Sequence, residues 1–194
     1  MTGVQTCALP IYGIVDAIKS FTPAPHRCEF VAEIHGVKFV NDSKATNVDA
    51  VEKALLAMPQ GQDSREPNVW LLAGGKDKGF DYHDLGPVLS RCVKGAFLFG
   101  ETREKICAAW SLFTPCTIVA TSLEALSAAA QRAVPGDVIL LSPACSSFDQ
   151  FRNYQHRGEV FRQAVKQLQN SGKKRDAGSS VATRHAEFAL TQTH

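Results

Sequence analysis

The stretch VKFVNDSKATNVDAVEKALLAM, residues 37–58, places a strand pattern, a polar segment and a helix pattern in direct succession. Its first four residues read as an apolar alternating strand, and apolar residues recur at helical spacing from Val48 to Met58. Between them, NDSKATN (41–47) sets six polar residues around Ala45. A helix entry needs one or two such groups, with Asn47 or Thr46 as N-cap. The surplus, above all Asp42 beside Lys44, indicates a site for a polar, anionic ligand.

The same succession of strand and helix repeats along the chain. Strands are predicted over residues 30–34, 37–40, 69–73, 95–99, 117–120 and 138–141, and helices over 12–21, 48–58, 85–92, 103–110, 123–133 and 158–168. His35-Gly36 predicts a hairpin between the first two strands. Continuous apolar strands separated by helices predict an α/β fold with a mainly parallel sheet that is covered on both faces.

Two further polar clusters follow predicted strands, GGKDKG (74–79) and SPACSSFDQ (142–150). Ligands of parallel sheets bind beyond the carboxyl ends of the strands, so the three clusters are expected to share one crevice. GGKDKG lacks the spacing of a phosphate loop and by itself is typical of a solvated turn. A lysine there, paired with Lys44, would suit a ligand with more than one carboxylate.

The third cluster offers hydroxyl and backbone N–H groups, which form a cradle for a carboxylate or a phosphate. Cys145 lies within it, but no histidine at a recognisable spacing supports a nucleophile, and a packed thiol is the expectation. Tyr154 and Phe151 are interpreted as core or lid aromatics. Arg27 is either a surface residue or one that reaches a phosphate across a domain boundary.

Length and composition restrict the class of protein. A chain of 194 residues, 44% hydrophobic and 21% charged, is typical of one globular domain with tails. The segment from Ser171 holds four Lys or Arg and two acids, which leaves 17 of each in residues 1–170, so no nucleic-acid footprint is expected. The six cysteines show no metal spacing. The apolar runs are too short to span a membrane, which predicts a cytoplasmic protein.

Both ends differ from the rest of the chain. MTGVQTCALPI (1–11) has no periodicity and resembles translated sequencing adapter, so it is expected to be a non-native leader joined to a gene that is interrupted before Tyr12. Residues 171–194 are rich in polar and basic residues and are expected to form a disordered tail.

Taken together, HR (26–27), NDSKATN, GGKDKG and SPACSSFDQFRNYQHRG (142–158) resemble the C-terminal domain of the Mur ligases. Within that family the motifs are most similar to those of the members that add D-glutamate. The resemblance covers residues 12–168. It implies that residues 12–27 are the end of a central domain and a hinge, and that residues 28–170 form a Rossmann-like C-terminal domain.

The resemblance also implies an activity, an ATP-dependent amide ligase of peptidoglycan synthesis that adds D-glutamate to UDP-N-acetylmuramoyl-L-alanine. This domain would bind the amino acid and close over ATP, and the protein is expected to be a monomer. The residues implied for D-glutamate are Thr46, Lys78, Ser147, Phe148 and Tyr154. Those implied for ATP are Arg27 and Asp42, while the resemblance fixes no role for Lys44 or Asn47.

The sequence contains no GK[ST] phosphate-loop motif, and the resemblance assigns most of the ATP and Mg²⁺ contacts to a central domain that carries one. No metal ligand and no certain catalytic residue is therefore predicted in this chain, and it is expected to be inactive by itself. Two alternatives stay open: a Mur-type ligase for a different amino acid, and a free-standing module that binds a small ligand.

Overall fold

The computed structural model describes Asp16, residues 24–59 and residues 66–171. The strands are β1 (Glu29–Ile34), β2 (Val37–Asn41), β3 (Val69–Gly74), β4 (Val93–Phe99), β5 (Cys116–Ile118) and β6 (Val138–Leu141). The helices are α1 (Val48–Ala57), α2 (Gly86–Cys92), α3 (Arg103–Trp110), α4 (Ser122–Arg132) and α5 (residues 154–171). Most of the helix predicted over residues 12–21, together with the leader and the tail beyond residue 171, lies outside the described residues.

One six-stranded sheet organises the described part of the chain, in the order β1-β2-β6-β3-β4-β5. The β1–β2 pair is antiparallel, and the other four pairs are parallel. The hairpin turns at His35 and Gly36, whose φ angles of 50° and 77° suit the left-handed turns that join twisted strands. The predicted mainly parallel, Rossmann-like sheet with an initial hairpin is confirmed.

Alternate side chains of the central strands enter two separate cores, one on each face of the sheet. Val40, Leu71 and Leu140 pack on one face under α1, α2 and α3. Phe39, Leu72 and Ile139 pack on the other face under α4 and α5. Burial on both faces explains why β3 and β6 read as continuous apolar runs in the sequence.

Several predicted boundaries differed from the observed ones, most of them by one residue, and β4 begins at Val93, two residues before its predicted start. The fifth strand ends at Ile118, two residues before the predicted end. The last helix begins at residue 154, four residues earlier than predicted, because the side chain of Asn153 accepts a hydrogen bond from the backbone N–H of His156 and caps the helix. Tyr154 therefore stands in the first turn of α5. Among the described helices, none combines the length and the apolar character needed to cross a bilayer.

Candidate functional site

The three polar clusters lie at one edge of the sheet, as predicted, because they follow β2, β6 and β3, which are neighbours in the sheet. Backbone hydrogen bonds join the loops to each other. Gly74 N–H donates to the carbonyl of Pro143 over 2.9 Å, and Lys76 N–H donates to that of Ser146 over 2.8 Å. The loops after β3 and β6 are thus one connected surface.

Asp42 forms the base of this surface, and its side chain is well buried. Ser142 Oγ donates to Asp42 Oδ2 over 2.9 Å, and the backbone N–H of Cys28 donates to Oδ1 over 3.1 Å. Burial raises the pKa of the Asp42 carboxyl, while the hydrogen bonds from Ser142 and Cys28 and the nearby charge of Arg27 oppose the rise. Asp42 therefore connects the loop after β2 with Cys28, just before β1, and with Ser142, just after β6.

A cleft of about 280 Å³ opens beside Asp42. It is lined by Arg27, Cys28, Asp42, Lys44, Ala45, Ala50, Lys53 and Ala54. The two residues expected to contact ATP, Arg27 and Asp42, are thus brought together. Three cations and one carboxylate line the cleft, a set that suits a phosphate-bearing ligand with a polar group. The structure adds Lys53, which the sequence analysis did not single out.

Lys44 and Tyr154 meet across the site, 110 residues apart in the sequence. Lys44 Nζ lies 3.2 Å from the phenolic oxygen of Tyr154 and 4.9 Å from the centre of its ring. The ammonium group is therefore held both by a hydrogen bond and by the face of the aromatic ring. This contact gives Lys44 a defined place between the loop after β2 and helix α5.

The structure identifies Arg157 as a residue that sequence reasoning missed. Its side chain is 1% exposed. Its Nε donates to Ser43 Oγ over 3.0 Å, one terminal nitrogen donates to Ser43 O over 2.9 Å, and both terminal nitrogens donate to Cys145 O over 3.2 Å. Burial lowers the pKa of Arg157 to about 10. Arg157 joins the loops after β2 and β6.

A sequence signal for Arg157 existed. Residues 157, 161 and 165 follow the spacing of one helix face, and Phe161 and Val165 are buried apolar residues of the second core. An arginine at the start of such a face has to find hydrogen-bond acceptors inside the protein, since burying a charge without partners is costly.

The remaining candidate residues occupy different surroundings. Ser147 is 3% exposed, and its carbonyl accepts from the N–H of Phe151 over 2.8 Å. Phe148, next to it, is 67% exposed. Thr46 is half-buried and Lys78 is exposed. The fold places all of them in loops at the same edge of the sheet.

Asn47 has a structural role. Its side chain accepts a hydrogen bond from the backbone N–H of Ala50 over 2.8 Å and caps α1. This outcome matches the capping function that the sequence pattern favoured for this residue.

Cys145 is fully buried, with its sulfur 3.2 Å from Tyr82 Oη and 3.2 Å from Thr102 Oγ1. Burial raises the pKa of this thiol, which keeps it protonated. The geometry is that of a packed thiol. In the described residues, no group of three or more His, Cys, Asp or Glu side chains is arranged to hold a metal ion.

Two larger clefts have the wrong chemistry for an anionic ligand. One of about 570 Å³ lies at the opposite edge of the sheet and is lined mainly by apolar groups such as Val37 and Leu168. The other, of about 500 Å³, carries four carboxylates, those of Asp49, Glu52, Asp81 and Asp84. The smaller cleft at Asp42 is the better candidate because its cations match the expected ligand.

The sheet order, the polar loops at its carboxyl edge and the cationic cleft define an α/β domain with a candidate site for an anionic ligand. Residues 26–145 match the family model described as "Mur ligase, glutamate ligase domain". The chain belongs to this family.

Curated relatives agree in sequence over most of the chain. It is 46% identical over 164 residues to the UDP-N-acetylmuramoylalanine–D-glutamate ligase of Acidobacterium capsulatum, with 82% of this chain and 34% of the relative covered. It is 44% identical over 157 residues to the ligase of the same name from Chlamydia caviae, with 81% and 36% covered. The chain therefore spans about a third of the length of these relatives.

Solved structures agree in fold. The MurF ligase of Thermotoga maritima in complex with ADP gives a TM-score of 0.51 at 18% identity, with 76% of this chain and 33% of that chain covered. FolC of E. coli in complex with ADP gives 0.52 at 18% identity, with the same two coverages. At this level of identity the likeness concerns the fold.

Proposed function

We propose that this chain is the amino-acid-binding domain of an ATP-dependent ligase that joins D-glutamate to UDP-N-acetylmuramoyl-L-alanine. The observation that carries the proposal is the connected set of polar loops after β2, β6 and β3, on a chain 46% identical to a ligase of that name. The reaction would form an amide bond: ATP would phosphorylate the carboxylate of the nucleotide sugar and leave ADP, and the amine of D-glutamate would attack the acyl phosphate, losing a proton and displacing inorganic phosphate.

The charges of the site support an amino acid with two carboxylates. Lys78 would bind one carboxylate as a cation, while the hydroxyls of Thr46 and Ser147 would donate hydrogen bonds. Phe148 and Tyr154 would cover the ligand, since Phe148 is exposed at the rim and Tyr154 stands at the start of α5. Placing both carboxylates on fixed groups would orient the amine for attack.

The cleft at Asp42 would receive part of the nucleotide. Arg27 would approach a phosphate, and the carboxylate of Asp42 would accept a hydrogen bond from the sugar. We further propose that Mg²⁺ and most of the ATP are held by a central domain that corresponds to the part of the relatives this chain does not span. In this arrangement residues 12–27 would be the end of the central domain and the hinge, residues 28–170 would be the closing domain, and the complete enzyme would act as a cytoplasmic monomer.

A chimera tests this function. Residues 24–171 would replace the matching segment of the Acidobacterium capsulatum ligase, and phosphate release would be measured with UDP-N-acetylmuramoyl-L-alanine, ATP and one amino acid at a time. We expect turnover with D-glutamate and background rates with L-lysine or meso-diaminopimelate. Turnover with either of those instead would show a Mur-type ligase for a different amino acid.

Two variants of the chimera sharpen the result. Lys78→Met should raise the KM for D-glutamate by about tenfold or more, because it removes a charge-assisted contact. Lys166→Met removes an exposed lysine of α5 and should leave the KM unchanged. The 194-residue chain by itself should give no turnover, and turnover above background would contradict the proposed division of labour.

A further inference from the structure

Hydrogen bonds of Gly75 and Lys76 fix the backbone just before Lys78. The carbonyl of Gly75 accepts hydrogen bonds from both the N–H and the Oγ1 of Thr102, each over 3.0 Å. The N–H of Lys76 donates to Ser146 O over 2.8 Å. Two consecutive residues are therefore tied to the loops after β4 and β6, and the chain reaches Asp77 from a defined direction.

The side chain of Asp77 forms the next hydrogen bonds of this segment. Its Oδ1 accepts from the backbone N–H of Gly79 over 2.8 Å, which closes a turn around Lys78. Lys105 Nζ, from α3, donates to Oδ2 over 3.0 Å and to Oδ1 over 3.3 Å. The same ammonium lies 5.3 Å from the centre of the Tyr82 ring. Lys105 therefore holds the carboxylate from the side of α3.

We propose that Lys105 is a positioning residue for amino-acid binding: by engaging the carboxylate of Asp77, it keeps Asp77 from pairing with Lys78 and leaves the Lys78 ammonium available to a carboxylate of the ligand. This inference rests on the proposed function, in which Lys78 binds D-glutamate. It assigns to a residue of α3 a role that is exerted through Asp77.

The charges next to Asp77 explain why its carboxylate needs Lys105 as a partner. Asp77 stands between two lysines in the sequence, Lys76 and Lys78, and opposite charges within a few ångströms attract each other. An Asp77 side chain without Lys105 would have a cation on either side to pair with. The hydrogen bonds from Lys105 and Gly79 lower the pKa of the Asp77 carboxyl, so that it remains ionised and paired with Lys105 at neutral pH.

The test uses the full 194-residue chain, labelled with ¹⁵N and titrated with D-glutamate while the amide signals of the loops after β2, β3 and β6 are followed by NMR. Lys105→Gln should raise the Kd about threefold to fivefold, the size expected for an exposed ion pair. Lys105→Arg should keep the Kd within about twofold of the unchanged chain. Lys166→Gln removes one positive charge from α5 and is the matched control. It should also keep the Kd within about twofold of that of the unchanged chain.

A double variant separates positioning from a merely structural role. Asp77→Asn keeps an oxygen that can accept from Gly79 N–H but removes the charge that would compete for Lys78. Lys105→Gln combined with Asp77→Asn should therefore restore the Kd to within about twofold, although the ion pair is lost. A Lys105→Gln chain that binds as tightly as the control, or a double variant that stays as weak as Lys105→Gln, would overturn this inference alone. An unchanged chain whose signals do not respond to D-glutamate would overturn it together with the proposed function.

Discussion

Arg157 donates hydrogen bonds to two atoms of Ser43, to its hydroxyl over 3.0 Å and to its carbonyl over 2.9 Å. The two residues are separated by 114 positions in the sequence, and the same guanidinium also reaches the carbonyl of Cys145. A planar group with five donors can satisfy several buried acceptors at once, which a lysine cannot do in the same geometry.

Replacing Arg157 should therefore be costly. We expect Arg157→Met to lower the free energy of unfolding by about 2–4 kcal/mol, because the carbonyls of Ser43 and Cys145 would stay buried without donors. Urea denaturation followed by circular dichroism measures the change. Arg152→Met, at an exposed arginine just before α5, should change it by less than about 0.5 kcal/mol. Equal effects of the two variants would contradict the bridging role of Arg157.

Asp42 should give the protein a distinctive pH dependence. Its folded-state pKa is raised, so the native state binds this proton more tightly than the unfolded state does, and the penalty for the buried charge is relieved as the pH falls through the raised value. The unfolding free energy of the unchanged chain, measured relative to that of Asp42→Asn, should therefore increase as the pH falls from 7 to 4. A difference that is constant or decreases over this range would show that hydrogen bonds outweigh burial at this carboxyl.

His26 should respond in the opposite direction. It is buried, and Asn41 Nδ2 donates to its Nδ1 over 3.0 Å, an arrangement that requires the neutral ring. Burial lowers the pKa of His26, with Glu29 opposing the shift and Arg162 reinforcing it. The stability that the neutral ring contributes is complete above pH 6.5 and is lost as the pH falls below that value.

NMR titration of the His26 ring protons should give a midpoint below 6.5. Urea unfolding should show that the free energy of unfolding of the unchanged chain exceeds that of His26→Asn by a smaller amount as the pH falls from 7.5 to 5.5. A midpoint above 6.5 would mean that Glu29 dominates over burial.

Gly74 and Gly136 form a matched pair for the loop geometry. Both have positive φ, 130° and 96°, but a Cβ on Gly74 would collide with the backbone oxygen of Phe99, while one on Gly136 would meet nothing within 4 Å. We expect Gly74→Ala to destabilise the protein by at least about 3 kcal/mol and Gly136→Ala by about 1–2 kcal/mol. Thermal unfolding compares the two, and similar losses would show that the strand end can move away from β4.

The sequence predicted where the polar clusters lie better than it predicted the contacts among them. Polar clusters after three apolar strands were enough to place them at one edge, because parallel strands share their carboxyl ends. The insertion of β6 between β2 and β3 was not predictable from local patterns, since strand order depends on packing between distant segments. This order makes Asp42 and Ser142 neighbours.

The start of α5 shows the same limit. The stretch QFRNYQHR lacks the apolar periodicity by which a helix is recognised, so the predicted helix began only at Gly158. The cap at Asn153 and the hydrogen bonds of Arg157 stabilise this first turn instead. The hydrogen bonds from Arg157 to Ser43 join residues distant in the sequence, so hydrophobic spacing alone does not predict where this helix begins. The proposed ligand roles of Thr46, Lys78, Ser147, Phe148 and Tyr154 remain predictions.

The contact between Ser43 and Arg157 also has a consequence for biosynthesis. A chain that emerges from the ribosome in order presents residue 43 long before residue 157, so the crevice cannot close until almost the entire domain has been translated. Contacts of such wide sequence separation form late and slowly compared with local ones. The crevice between these loops is therefore completed only at the end of folding, and a partly folded domain lacks it.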